Sequence, residues 1–239
     1  MKTCFLTSNP LGTDFRSLNP ANGFAEQLTA AVPAKSRALY ICSDPDSPEE
    51  TDRYAYGMKA SLKASGFRFS KYAVLDKRNQ ADAAQLIGQS DFIILAGGHV
   101  PTQNRFFTEL HLKDMLDPYE GVILGISAGS MNSADVVYVQ PELPGEAADR
   151  NFQKFLSGLN LTGITILPHY QICKDEVVDG VRVYEEITYP DSLGRKFYAI
   201  PDGSYFLIRG RDTELHGEAY LIQDGGIRQI SAAGDCIQL

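Results

Sequence analysis

The sequence predicts an α/β protein: a mostly parallel sheet with helices on both faces and antiparallel strands added at the C-terminal end. Three observations carry that prediction. Short apolar runs alternate with helix-length segments through the first part of the chain, the pattern of repeated β-α units. The runs Phe92–Ala96 and Val122–Ile126 are apolar at successive positions, as strands covered on both faces must be. Toward the C-terminus, strand-like runs follow one another with turn residues between them instead of helices.

In chain order, Phe5–Thr7 reads as the first strand and Phe24–Val32 as a helix. Ala38–Cys42 is a second buried strand. Ser47, Pro48 and Glu50 then form a helix start: a serine cap, proline at the first helical position, and a glutamate three residues after the cap. That helix runs to Ser65, and Gly66 stops it. Phe67–Leu75 is a strand, Gln80–Ile87 a helix, and Phe92–Ala96 a strand. Pro101–Leu116 suits one helix, with Phe106, Phe107, Leu110 and Leu112 near one side and His111 helical and inert. After the strand Val122–Ile126 comes an acidic loop, Gln140–Arg150. A strand at Ile164–Leu167 and a helix around Glu176–Ile187 follow. Strand patterns then occupy Phe197–Ile200, Tyr205–Ile208, Glu218–Ile222 and Ile227–Ile230, the last two joined by a turn at Asp224-Gly225-Gly226.

Composition narrows the function classes. The 239 residues fit one domain spanning 1–239, and 44% hydrophobic with 22% charged residues is ordinary for a globular enzyme. A net charge of −8 argues against non-specific nucleic-acid binding, which needs clustered Lys and Arg. No apolar run approaches the roughly 18 residues of a membrane helix, and the N-terminus is apolar for too few residues to be a signal peptide. Cys4, Cys42, Cys173 and Cys236 lie far apart and read as reduced thiols of a cytoplasmic protein. No two of His99, His111, His169 and His216 stand at ligand spacing, so neither a metal site nor a cofactor is expected.

Chemistry concentrates at Gly125-Ile126-Ser127-Ala128-Gly129, where a buried strand turns directly into a helix. Such a corner needs small flanks, exposes the serine hydroxyl and aims free N–H groups at its surroundings. Ala96-Gly97-Gly98-His99 ends a second strand on the same side of the sheet, where open α/β sheets bind ligands. A serine nucleophile needs a base, itself oriented by an acid. Two orders compete. His169, after the strand Ile164–Leu167, could be the base with Asp202, in Pro-Asp-Gly, as the acid. In an α/β-hydrolase esterase the base would instead be His216, with Asp191 or Asp202 between. A non-catalytic scaffold whose glycine loops hold a metabolite is the rival from another class.

These residues resemble peptidase family S51, the dipeptidase E (aspartyl dipeptidase) family with cyanophycinase as a relative. The resemblance rests on Ser8-Asn9-Pro10 ending the first strand, Ala96-Gly97-Gly98, Gly125–Ser130, and Pro168-His169 followed by Ile200-Pro201-Asp202-Gly203. It covers most of the chain and implies a class I glutamine amidotransferase-like fold and a metal-free serine peptidase. It makes Ser127 the nucleophile, His169 the general base and Asp202 the third triad member. Glu142 is the rival orienter, and the Gly98 and Ala128 N–H groups form the oxyanion hole. The implied substrate is a short peptide, in particular an N-terminal Asp-X dipeptide, with Arg182 holding the acidic side chain. His99 stands where dipeptidase E has asparagine and is a substrate-contact candidate. For Arg182 the competing assignment is a solvated residue pairing with Glu185 or Glu186. Beyond its substrate, the only partner expected is a second copy in a homodimer.

Overall fold

A computed structural model describes residues 1–239. Strands β1 (Thr3–Thr7), β2 (Ser36–Ile41), β3 (Phe69–Leu75), β4 (Phe92–Leu95) and β5 (Val122–Ile126) run parallel in the spatial order β1-β5-β4-β2-β3. Alternation along the strands divides their side chains between two layers of helix. Phe92 and Ile94 join the cluster beneath α1 (Phe24–Ala31) and α2 (Pro48–Ala64), which contribute Phe24, Leu28, Met58 and Leu62. Ile93 and Leu95 face the opposite cluster, packed by Ile87 of α3 (Ala83–Gly88), Phe106 and Phe107 of α4 (Val100–Glu109), and Leu112 and Leu116 of α5 (Leu112–Leu116). Each fully covered Leu, Ile or Phe contributes about 1.5–3 kcal/mol of transfer free energy, so strands apolar on both faces are what this layering requires.

After α6 (Ala128–Met131) the chain forms a small antiparallel pair, β6 (Val136–Tyr138) with β7 (Phe155–Ser157). Next come β8 (Thr165–Leu167), α7 (Tyr170–Cys173), the hairpin β9 (Val177–Val178) and β10 (Val181–Arg182), and α8 (Tyr189–Asp191). The last strands are β11 (Lys196–Ala199), β12 (Tyr205–Arg209), β13 (Asp212–His216), β14 (Ala219–Gln223), β15 (Gly226–Ser231) and β16 (Cys236–Gln238). β12 pairs antiparallel with β1, and β13 and β16 extend that edge, completing an eight-stranded sheet. The others form a second sheet in the order β15-β14-β11-β8. The tail therefore builds a sheet of its own as well as adding strands to the first.

Besides the short strands β6, β7, β13 and β16, which the sequence did not announce, three expected features come out differently. The helix expected over Pro101–Leu116 breaks at His111, whose φ of 53° is left-handed, so α4 and α5 are separate. Asp179 and Gly180 adopt φ of 52° and 82°, the twist of a two-residue hairpin turn, and convert the start of the expected Glu176–Ile187 helix into β9 and β10. A helical turn remains at Val183–Thr188. Ser47 does precede α2, but its hydroxyl donates to the Asp44 carboxylate at 2.7 Å and does not cap the helix. No helix is long and apolar enough to cross a membrane.

Candidate active site

Ser127 occupies the corner between β5 and α6. β5 lies between β1 and β4 and is buried over its first four residues, so its end is fixed in space. Ser127 takes φ 49° and ψ −111°, a sparsely populated conformation for a residue with a side chain. Its N–H holds the corner by donating to the carbonyls of Thr7 and Ser8 at 3.0 and 3.1 Å. The following turn can pack against β4 only because position 129 is glycine: a Cβ there would lie 2.4 Å from the Leu95 carbonyl oxygen.

His169 enters from the second sheet. It follows β8, has φ 57° at the head of α7, and its N–H donates to Ser8 Oγ at 2.8 Å. Its Nε2 lies 2.9 Å from Ser127 Oγ, and its Nδ1 lies 2.7 Å from Asp202 Oδ1. Asp202 sits in the turn between β11 and β12, at the crossing from one sheet to the other, and its N–H donates to Gln171 Oε1 at 3.1 Å. Burial alone would raise its pKa. Hydrogen bonds from His169, Ser8 and Asn9, with the His169 charge, outweigh burial and hold the carboxyl below its ordinary value. An ionised Asp202 selects the imidazole tautomer with the proton on Nδ1, leaving Nε2 to accept from the Ser127 hydroxyl.

The structure thus brings Ser127, His169 and Asp202 into one hydrogen-bonded chain. Ser127 and His169 open onto a cleft of about 690 Å³ that is also lined by Ser8, Arg53, Gly98 and His99, with Asp202 behind the imidazole. Gly97 packs against the serine: a Cβ on it would sit 3.4 Å from the Ser127 Cβ. Gly98 has φ 151°, and a Cβ on it would meet Ser43 Oγ at 2.3 Å. Neither the Gly98 nor the Ala128 N–H donates to an acceptor within the protein.

None of the remaining sequence candidates bonds Ser127, His169 or Asp202. Glu142 makes no hydrogen bond to His169; burial pushes its carboxyl pKa up, against the pull of His99 and His169. His99 lines the cleft, but both ring nitrogens are engaged, Nδ1 with Thr102 Oγ1 at 2.8 Å and Nε2 with Glu146 Oε1 at 2.9 Å. The other Glu146 oxygen accepts the N–H groups of Glu142 and Leu143, so this pair ties the 140–150 loop to the glycine turn. Arg182 does not line the cleft. It is exposed at the end of β10, its guanidinium pairs with Glu185, and its N–H donates to Glu186 at 2.8 Å. The geometric reason is the unforeseen hairpin, which carries residue 182 onto solvent-facing backbone. His216 bonds Glu214 and stacks on Tyr205, with its Nε2 committed there and not to Ser127.

Sequence reasoning missed two residues of this site. Ser8 is fully buried, and its hydroxyl both accepts from the His169 N–H and donates to Asp202 at 2.6 Å. Its Ser-Asn-Pro context marked the strand end and gave no role. Glu146 had no signal at all, because an acidic loop residue looks the same whether solvated or paired.

A serine held at a strand–helix corner, bonded to a histidine that is bonded to a carboxylate, beside a glycine turn in an α/β sheet, defines a hydrolase-type site. The chain belongs to peptidase family S51, whose family model matches residues 5–216. The fold is similar to the crystal structure of a candidate peptidase E protein from Listeria monocytogenes EGD-e, with a TM-score of 0.57 and 17% identity. The match covers 97% of this chain and 100% of that one. No curated protein sequence matches the chain. These likenesses make the protein a peptidase by family, with the α/β fold expected from its sequence.

Proposed function

We propose that the protein is a serine peptidase that hydrolyses short peptides through Ser127, His169 and Asp202. The observation that carries this reading is the unbroken chain Ser127 Oγ–His169 Nε2 (2.9 Å) and His169 Nδ1–Asp202 Oδ1 (2.7 Å) at the wall of the cleft. Ser127 Oγ attacks the scissile carbonyl as His169 Nε2 takes its proton. Asp202 stabilises the imidazolium that forms. The tetrahedral oxyanion takes the N–H groups of Gly98 and Ala128, which have no acceptor within the protein. His169 then protonates the leaving amine, an acyl-serine remains, and a water deprotonated by His169 releases the acid.

For specificity, an N-terminal aspartyl dipeptide is the first substrate to test. Arg182, exposed and paired with Glu185, is not the group to hold its side chain. Arg53 is the arginine that lines the cleft, where it already pairs with Glu50 at 2.7 Å, so an acidic substrate group would have to share or displace that pair to use it as a counter-charge.

A fluorophosphonate probe tests the nucleophile. It should label the wild type stoichiometrically at Ser127, and Ser127→Ala should lose both labelling and peptide hydrolysis while keeping its circular dichroism. Hydrolysis surviving above a few per cent in that variant overturns the assignment.

A further inference from the structure

We propose that Glu214, His216 and Cys236 form a binding site for a borderline-soft divalent transition metal, with zinc the first candidate. No two histidines or cysteines stand at metal-ligand spacing in the sequence, and here strand pairing does what spacing does not. β13 and β16 are antiparallel, and their register sets His216 directly opposite Cys236. Glu214 lies two residues before His216 and so projects from the same face of β13. His216 Nε2 is 2.8 Å from Glu214 Oε2 and 3.6 Å from Cys236 Sγ, and the donor atoms of all three residues lie within 4.8 Å of one another.

Those separations suit coordination. With Zn–N of about 2.0–2.1 Å and Zn–S of about 2.3 Å, tetrahedral angles put nitrogen and sulfur roughly 3.5–3.6 Å apart. The imidazole and thiol already stand at that separation. The carboxylate needs to back away from the imidazole by roughly half an ångström, replacing its hydrogen bond with a bond to the ion, and its oxygen must end roughly 3.5 Å from the sulfur, from which it now lies within 4.8 Å. The histidine is also fixed in place. It is buried, and its ring stacks parallel on Tyr205 with centroids 4.7 Å apart.

Charge and access agree with the geometry. A thiolate and a carboxylate together balance a dication. The thiol proton leaves to solvent on binding, and the sulfur electron pair it releases forms the metal bond. Arg209 is the nearby cation, and its Nη1 sits 3.9 Å from the other Glu214 oxygen, Oε1. Cys236 is the exposed cysteine of the chain; Cys4 and Cys42 are buried and Cys173 partly so. Three protein ligands leave a position for water. Because β16 is only three residues long, a metal there would cross-link the outermost strand of the large sheet to its neighbour.

Cobalt(II) is the direct probe, added to the full-length protein after metal removal and reduction with a phosphine. The expected result is a thiolate-to-cobalt charge-transfer absorption with the ligand-field bands of a four-coordinate ion, saturating at one equivalent and displaced by zinc. Cys236→Ser should abolish the charge-transfer band, and Glu214→Gln should weaken cobalt affinity by about ten-fold or more. In the unmodified protein, zinc should slow alkylation of Cys236 by iodoacetamide. The absence of a thiolate band, its persistence in Cys236→Ser, or a Cys236 that zinc leaves unprotected would each overturn the proposal.

Discussion

Ser8→Ala removes a hydroxyl that bonds Asp202 and the His169 N–H and makes no hydrogen bond to the Ser127 hydroxyl, yet it should slow the reaction. Ser8 Oγ accepts the His169 N–H at 2.8 Å and donates to Asp202 at 2.6 Å, and the residue is fully buried. A hydrogen bond to a charged group is worth about 1.5–3 kcal/mol, and one between neutral groups about 1 kcal/mol. If the Asp202 bond acts fully on the imidazolium-forming step, kcat falls about ten- to a hundred-fold with KM little changed. Stability should follow a defined pH dependence. The Asp202 pKa is held below its unfolded value, partly by Ser8, so its stabilisation is present above the unfolded pKa and is lost as pH falls through the folded one. Removing Ser8 moves the folded pKa back up. The Tm difference between wild type and variant should therefore be largest near neutral pH and close as the solution becomes acid enough to protonate Asp202 in both. Peptide hydrolysis and thermal melts across pH measure the two effects. An unchanged kcat with a pH-independent Tm difference would show that Ser8 only fills space.

Gly98→Ala places a Cβ 2.3 Å from Ser43 Oγ at a φ of 151°. The turn must shift, and kcat should fall by about 10²–10³ if the Gly98 N–H serves the oxyanion; unimpaired turnover in a folded variant refutes that role. Gly129→Ala drives a Cβ to 2.4 Å from a backbone carbonyl, which has no rotamer to move to. Overpacking of about 1–3 kcal/mol lowers Tm by several degrees in a chain of this size, and calorimetry showing an unchanged Tm would count against the packing argument. Arg182→Ala should leave the preference among Asp-Leu, Asn-Leu and Ala-Leu dipeptides as it is in the wild type, because the guanidinium is exposed and paired with Glu185; a lost aspartyl preference would return Arg182 to the substrate pocket.

Much of the architecture was legible because buried parallel strands carry their signal locally. Phe92–Ala96 and Val122–Ile126 are apolar on both faces, and no other element accommodates such short runs so well. The corner at Ser127 was legible for the same reason, since its small residues are adjacent in the chain. What escaped was set by a two-residue turn or by partners far away. Asp179-Gly180 is a strong hairpin signal, but the helix-like spacing after it masked it. Ser8 meets Asp202 across 194 positions, and Glu146 meets His99 across 47, separations no local pattern encodes. Glu214, His216 and Cys236 converge only through the β13–β16 register.

Ser127 and Ser8 stand on the eight-stranded sheet, whereas His169 follows a strand of the four-stranded one and Asp202 marks the crossing between them. Ser127 and His169 are thus carried by different sheets, and their 2.9 Å contact spans the seam. A small slip of one sheet over the other would silence the enzyme while both sheets kept their hydrogen bonds. Turnover is consequently the most sensitive gauge of how tightly the two halves are seated. It should vanish at lower denaturant than the circular dichroism of the strands, and a ligand filling the cleft from the large-sheet side to His169 would work as a clamp on that seam.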